Sequence, residues 1–397
     1  MISNISDTIV SVGVDDPDAR LFENQYALPH GMSYNSYALL GGSGDIAVLD
    51  SVEAGFGEQW IRQTEEATGG DAPRWLVAHH AEPDHSANIV AALEHWPGCT
   101  LVASQKCLDM IANFHPGFDF SGRTRAVKEG DILEAGTHSL RFIAAPMIHW
   151  PEVMMSYDET EKVLFSADGF GRFGSIQYDP VHWVDEARRY YCNIVGKYGP
   201  MVQSLLKKVS GLEIRYIAPL HGPVLKAPVE REIDLYNRWS TYTPETRGVM
   251  VAYASIYGNT AACALRLAEM LRECDCGEVY TADLTVSEPS EAVGRAFRYG
   301  TIVLCAPTYD AGVYPAMKNF LNRLVSKGIR NRRIALVQNG TWAPVAASVM
   351  RKMLEEQPGM EFLEPVVTIH SSMKEGDLQE MARLADAVSA PEGVPHS

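Results

Sequence analysis

The chain has 397 residues, more than one hydrophobic core usually organises, so two domains are expected; with 46% hydrophobic and 21% charged residues, nothing in the composition calls for disorder. Its formal net charge of -16, from 34 basic and 50 acidic side chains, argues against non-specific binding to nucleic acid or to an acidic membrane, since both need a positive surface.

From Met1 to Asp16 no basic segment leads into an apolar one, and no run along the chain approaches the length needed to span a bilayer, which predicts a cytoplasmic protein with no membrane partner. The seven cysteines (Cys99, Cys107, Cys192, Cys263, Cys274, Cys276, Cys305) include no C-x-x-C pair, so a redox dithiol, a zinc knuckle and a rubredoxin iron site are not indicated. Strand-like runs at 36–40, 46–50, 75–78, 140–144, 162–165 and 216–219 alternate irregularly with helical patterns at 55–68, 86–96 and 184–210, the signature of an α+β domain.

The run at 75–78 leads into His79-His80-Ala81-Glu82-Pro83-Asp84-His85, a short loop dense in imidazoles and carboxylates. Alternate positions of an extended loop share a side, so His80 and Glu82 project together with Asp84 close by, while His85 turns toward a neighbouring site. Two metals fit that arrangement, and hard carboxylate oxygens beside imidazoles suit iron or manganese. Taken alone, the string also reads as solvated surface charge. Three more apolar runs lead into a potential ligand: His149 in Met147-Ile-His149-Trp-Pro, Asp168 in Phe165-Ser-Ala-Asp168-Gly and His221 in Ala218-Pro-Leu-His221-Gly-Pro. Each singly is equally a core histidine or a turn aspartate; the set together is what points to metal. His79, His95, His115, His138, His182, His370 and His396 belong to no such cluster and are read as core or surface groups.

A polar, proline-bearing stretch at 239–247 separates this region from one in which strands (249–253, 301–304, 333–337, 361–368) alternate with helices (261–272, 315–326, 345–356, 377–390), the pattern of a doubly wound parallel sheet. Such a sheet binds its ligand beyond the carboxyl ends of its strands. There the chain places Ser255-Ile256-Tyr257-Gly258-Asn259-Thr260, whose hydroxyls, glycine and free N–H groups at a helix start form a phosphate cradle without the glycine spacing of a Walker or dinucleotide loop. A hydroxyl-rich helix cap would look the same in isolation. Two further loops, Pro307-Thr308-Tyr309-Asp310-Ala-Gly312 and Asn339-Gly340-Thr341-Trp342, offer aromatic faces and backbone donors at the same edge.

The ordered set His80, Glu82, Asp84, His85, His149, Asp168 and His221 resembles the metal scheme of metallo-β-lactamase-like proteins, and Glu82, where the hydrolases usually have histidine, resembles their flavodiiron branch. The segments 31–37, 150–155 and 189–194 are similar to the same family, and the three C-terminal loops resemble the FMN site of flavodoxins. This resemblance implies an N-terminal αββα metallo-β-lactamase-like sandwich over 1–240, a linker at 241–247 and a flavodoxin-like doubly wound domain over 248–397. It implies two irons, one held by His80, Glu82 and His149 and the other by Asp84, His85 and His221, with Asp168 bridging and no catalytic residue beyond these ligands. With FMN supplying electrons, the implied reactions are dioxygen to water or nitric oxide to nitrous oxide. No fused donor module is visible, so a separate donor, rubredoxin or a reduced deazaflavin, is expected, as is a head-to-tail homodimer or homotetramer. Two other readings stand beside this one: a metal-dependent hydrolase with a tethered flavodoxin domain, and an electron carrier or sensor without turnover. Glu23, where many family members have histidine, and His30 are the positions that leave the substrate pocket undefined.

Overall fold

The computed structural model describes residues 2–42, 45–178 and 183–390; His182 and His396 lie outside the described residues. The chain divides into two compact units, one comprising Met1–Tyr191 and Pro200–Asn237, the other Cys192–Gly199 and everything from Arg238 onward.

The first unit is built on two sheets. One runs in the order Ser3–Asn4, Ile9–Ser11, Tyr37–Leu39, Ala47–Leu49, Trp75–Val77, Thr100–Ser104, Thr124–Val127, and the other Ile132–Ala135, His138–Ala144, Met154–Asp158, Val163–Phe165, Tyr216–Ala218, Leu225–Lys226. Apolar alternation makes them face each other: along His138–Ala144 the residues Leu140 and Phe142 turn inward while Ser139 and Arg141 stay half-exposed. Tyr37, Leu39, Leu49, Val77 and Val102 meet Leu133, Leu140, Phe142, Met154 and Phe165 in one core. Each such side chain contributes about 1.5–3 kcal/mol of transfer free energy when buried. Pairing in the second sheet is antiparallel except between Val163–Phe165 and Tyr216–Ala218.

The second unit carries a parallel sheet in the order Val279–Asp283, Thr246–Tyr253, Tyr299–Tyr309, Arg332–Asn339, Met360–Phe362, with Val367–Ile369 also paired to Arg332–Asn339. The first strand of the chain order lies second in space, so the order reverses beside it and a crevice opens at the carboxyl edge. Helices Asn259–Glu273 and Glu375–Ser389 cover one face through Leu267, Leu271, Met381 and Leu384. Among the described residues no helix is long and apolar enough to cross a membrane, and the seven cysteines form no disulfide, six of them being buried.

Candidate metal centre and flavin site

The loop that follows Trp75–Val77 is fixed at both ends before any ligand is placed. At its start the His79 N–H donates to Asp50 Oδ1 at 2.7 Å, the His79 ring holds Asp50 Oδ2 at 2.5 Å and Ser156 Oγ at 2.8 Å, and Met154 N–H donates to the His79 carbonyl at 3.0 Å. At its end Pro83 starts a one-turn helix, Pro83–Ser86, whose Ser86 hydroxyl donates back to the Ala81 carbonyl at 2.7 Å, while Ser51 holds the His85 carbonyl through its N–H and hydroxyl. Asp168 sits in a turn closed by Ser166 Oγ donating to the Gly169 carbonyl at 2.6 Å, and His221 in one held by Asn35, whose amide donates to the carbonyls of Pro219 and Gly222.

These loops bring all seven predicted residues together in two groups, His80, Glu82, His149, Asp168 and Asp84, His85, His221, whose ligand atoms lie within 4.8 Å of one another in each group. Asp168 faces both. Its Oδ2 is 3.0 Å from His149 Nε2 and 3.6 Å from His80 Nε2, and its Oδ1 is 3.3 Å from His85 Nε2 and 3.8 Å from His221 Nε2. Every one of the seven is buried except Glu82, whose side chain is 12% exposed.

Both oxygens of Asp168, both of Asp84 and the Nε2 of His149 are buried without a hydrogen-bond partner among the described residues, although all but Asp84 Oδ1 have an oppositely charged or basic atom within 3.0–3.8 Å. His85 Nε2 and His221 Nε2 point at each other across 3.1 Å. Orphaned donors and acceptors converging from several directions are costly in a core unless something occupies the common focus, and a pair of cations answers that cost. The donor set therefore fits metal, with hard oxygens in each group and no sulfur.

Electrostatics follow the geometry. Burial alone would raise the Glu82 carboxyl, but the adjacent His149 and His80 imidazoles outweigh it and hold it at about 2. Burial would lower His149, yet Asp168 and Glu82 raise it to about 9. Asp168 is held well below the usual carboxylate range by His80, His149 and His85 against the opposing effect of burial.

The sequence reading missed the groups that orient the ligands. Glu152 Oε1 accepts from His80 Nδ1 at 2.7 Å and from the Ala81 N–H at 3.0 Å, and the Ser33 carbonyl accepts from His221 Nδ1 at 2.7 Å, so both rings present Nε2 to the centre. Glu152 lies three residues after His149 within the segment 150–155, whose likeness to the family was noted without a role for this carboxylate. Phe22, Tyr34 and Tyr190 wall off His221 with ring centroids 5.4–5.7 Å away. The Tyr190 hydroxyl is buried with no partner among the described residues; burial first, then Asp168, Asp84 and Glu82, raise its pKa well above the ordinary tyrosine value. His30 is exposed and stacks on Tyr178 at 3.7 Å, and Glu23 is exposed and accepts from Gln25 at 2.8 Å; neither belongs to the two groups. Of the remaining histidines, His138 pairs with Asp158 in the core and His95 with Glu65 at the surface.

In the second unit a cavity of about 570 Å³ opens at the carboxyl edge of the sheet. Ser255, Ile256, Tyr257, Asn259, Thr260, Pro307, Thr308, Asp310, Asn339, Gly340, Thr341 and Trp342 line it together with Ala311 of the same loop, joined by Ala343, Val345 and Ser371, which lie outside the loops named from the sequence. Gly258, at φ +89°, forms the N-cap of Asn259–Glu273 with open space where a Cβ would stand. Tyr309 and Gly312 line a neighbouring groove instead, since the strand that begins at Tyr299 continues to Tyr309 and turns into Gly312–Val313 through a hairpin. Tyr257 is 91% and Trp342 81% exposed, and large aromatics left to solvent at the rim of a cavity that size suit stacking on a planar ring. The residues present thus fit FMN.

Residues 32–222 match the family model described as ODP family beta lactamase, and residues 250–366 the one described as Flavodoxin domain. A curated nitric oxide reductase of Moorella thermoacetica is 27% identical over 396 residues, covering 97% of this chain and 98% of its own. An anaerobic nitric oxide reductase flavorubredoxin of Aeromonas hydrophila is 27% identical over 355 residues, 86% of this chain and 70% of its own. Among solved structures, the flavodiiron protein from Giardia intestinalis superposes with a TM-score of 0.89 at 23% identity over 98% of this chain and 97% of its own. Rubredoxin oxygen:oxidoreductase from Desulfovibrio gigas does so with 0.89 at 22% identity over 98% of each.

Proposed function

The chain belongs to the flavodiiron proteins, and from that premise we propose that it reduces dioxygen to water, nitric oxide to nitrous oxide, or both, at two irons supplied with electrons through FMN. The observation that carries this reading is Asp168, one buried carboxylate turned toward two separate histidine and carboxylate groups in a chain that also holds a flavin-sized cavity. His80, Glu82 and His149 would hold one iron and Asp84, His85 and His221 the other, with Asp168 placed to serve both groups. When bound, two ferrous ions and a reduced flavin hold the four electrons that dioxygen needs to become two waters, and the ions alone hold the two that couple two nitric oxides.

The chain's own part is orientation and exclusion. Glu152 and the Ser33 carbonyl keep the Nδ1 protons of His80 and His221, which leaves each Nε2 free to ligate. Phe22 and Tyr34 close the side next to His221 against bulk water. Tyr190, protonated at neutral pH, keeps a buried hydroxyl on the residue whose ring packs beside His221.

The electrons come, in this proposal, from a separate donor, and the names of the flavorubredoxin and rubredoxin oxygen:oxidoreductase relatives support rubredoxin, with a reduced deazaflavin as the other choice. Seven cysteines outside any disulfide support a reducing compartment, the cytoplasm. A head-to-tail homodimer or homotetramer belongs to the same reading, on family resemblance. Metal and flavin analysis followed by anaerobic stopped-flow reoxidation of the fully reduced protein by each gas tests the whole. Two irons and one FMN per chain with rapid reoxidation by at least one gas are expected; full zinc occupancy, with no activity gained on loading iron, would overturn it in favour of a hydrolase.

A further inference from the structure

Resting on the flavin half of that reading, we propose that the loop from Ile369 to Lys374 is a fourth wall of the cofactor site. Within it, the Ser371 hydroxyl acts with that of Thr341 as a paired hydrogen-bonding group for the ring-and-ribityl part of the flavin. Ser371 lines the same cavity as the three loops already described. Its Oγ lies 2.5 Å from Thr341 Oγ1. Two hydroxyls that close together satisfy only one proton between them, so the pair keeps a second proton and several lone pairs for whatever fills the cavity.

Ser371 is held in place at some cost. It adopts φ +68°, a left-handed conformation uncommon for a residue with a Cβ. A two-point clamp holds it: Asn339 Nδ2 donates to the Ser371 carbonyl at 2.8 Å, and Asn339 Oδ1 accepts from the Ser371 N–H at 3.0 Å. Asn339 is buried, and the clamp extends the parallel pairing of Asn339 with Ile369, reinforced by Gly340 N–H donating to the Ile369 carbonyl and His370 Nδ1 donating to that of Gly340, both at 3.0 Å. A strained serine secured by a buried amide at the wall of a cavity is a device for presenting its side chain.

The sheet order fixes which part of the flavin the pair meets. The phosphate cradle follows Thr246–Tyr253, whereas Thr341 follows Arg332–Asn339, and Tyr299–Tyr309 lies between them. Two strand spacings, about 10 Å, separate the cradle from the hydroxyl pair, which puts the phosphate out of the pair's reach.

Dissociation constants of FMN and riboflavin for the full-length, flavin-stripped protein, read from flavin fluorescence, test the proposal. Ser371→Ala and Thr341→Val should each weaken both ligands by the same factor, about tenfold, and the double variant should lose less than the product because the hydroxyls act as a unit. Ser371→Gly removes the hydroxyl while relieving the positive φ, and should match Ser371→Ala. Unchanged affinity in these variants, or a loss confined to FMN, would overturn the hydroxyl pair and leave the proposed function standing; a wild-type protein that binds neither flavin would remove the flavin half of that function and this inference with it.

Discussion

Asp168 is the residue on which both candidate iron positions depend, because each of its oxygens faces a different histidine group and no neighbour takes its place. Replacing it with alanine should remove at least half of the iron from purified protein, and two irons per chain with normal turnover in that variant would show that Asp168 is no bridge. Glu152 acts one bond further out: Glu152→Ala should weaken iron binding by about 10–100-fold in chelator competition, with Glu152→Gln recovering part of it because its amide oxygen still accepts from His80 Nδ1. Proton competition gives a third test. In the metal-free protein His149 titrates at about 9 and Glu82 at about 2. A raised histidine stabilises the fold below its ordinary value of about 6.5 and loses that contribution as pH climbs through 9; a depressed glutamate stabilises above about 4.5 and loses it as pH falls toward 2. The metal-free melting temperature should therefore decline from pH 6.5 to 9, while iron affinity rises over that range as the imidazole gives up its proton; an affinity flat from pH 6.5 to 8.5 would contradict it. That the seven residues gather was legible in the sequence because the segments carrying them each follow an apolar run, while their roles as ligands came from the family resemblance. Glu152 and Ser33 were not, since their contacts join positions 72 and 188 residues apart and only the folded sheets create them.

At the scale of elements, strong periodicity was read well and its interruptions were not. The helix Pro315–Ser326 has the predicted bounds, with Pro315 at its first turn. The predicted helix at 184–210 is instead two, Trp183–Ile194 and Gly199–Val209, with a single 3-10 turn at Gly196–Tyr198 between them: Gly196, Gly199 and Pro200 break a pattern whose apolar spacing continues across the gap. The strand expected at 361–368 likewise splits into Met360–Phe362 and Val367–Ile369 around Pro365, which has no N–H for a ladder. Val279–Asp283 went unread because an edge strand, half-exposed along most of its length, lacks a solid apolar run. Tertiary capping is invisible to sequence altogether. Helix Ala346–Leu354 has no side-chain cap of its own, and the Thr308 hydroxyl, from another loop, accepts from the Val345 and Ala346 N–H groups at 2.9 and 3.1 Å. Thr308→Val keeps the shape and deletes that acceptor. It should lower the stability of flavin-free protein by about 1 kcal/mol in urea unfolding, and no change in the midpoint would mean the cap contributes nothing.

For the molecule as a whole the question is whether the two chemistries can be separated, and Gly258→Asp is the variant that asks it. Gly258 sits at φ +89° with nothing within 4 Å of where a side chain would begin, so aspartate there is strained in backbone and projects a carboxylate into the space proposed for the phosphate. The start of Asn259–Glu273 favours anions, but a fixed carboxylate occupies that field itself and repels a second negative group. Flavin binding should be lost. The seven proposed iron ligands all lie in the first unit, whose two sheets enclose their own core, so iron content should stay near that of the unaltered protein. Donor-driven gas reduction should then disappear, while chemically reduced protein should still react once with gas, limited to about two electrons in place of four. Iron analysis, flavin absorbance and a single-turnover gas measurement on this one variant read all three consequences, and loss of iron together with flavin would show that the first unit does not fold and load metal on its own.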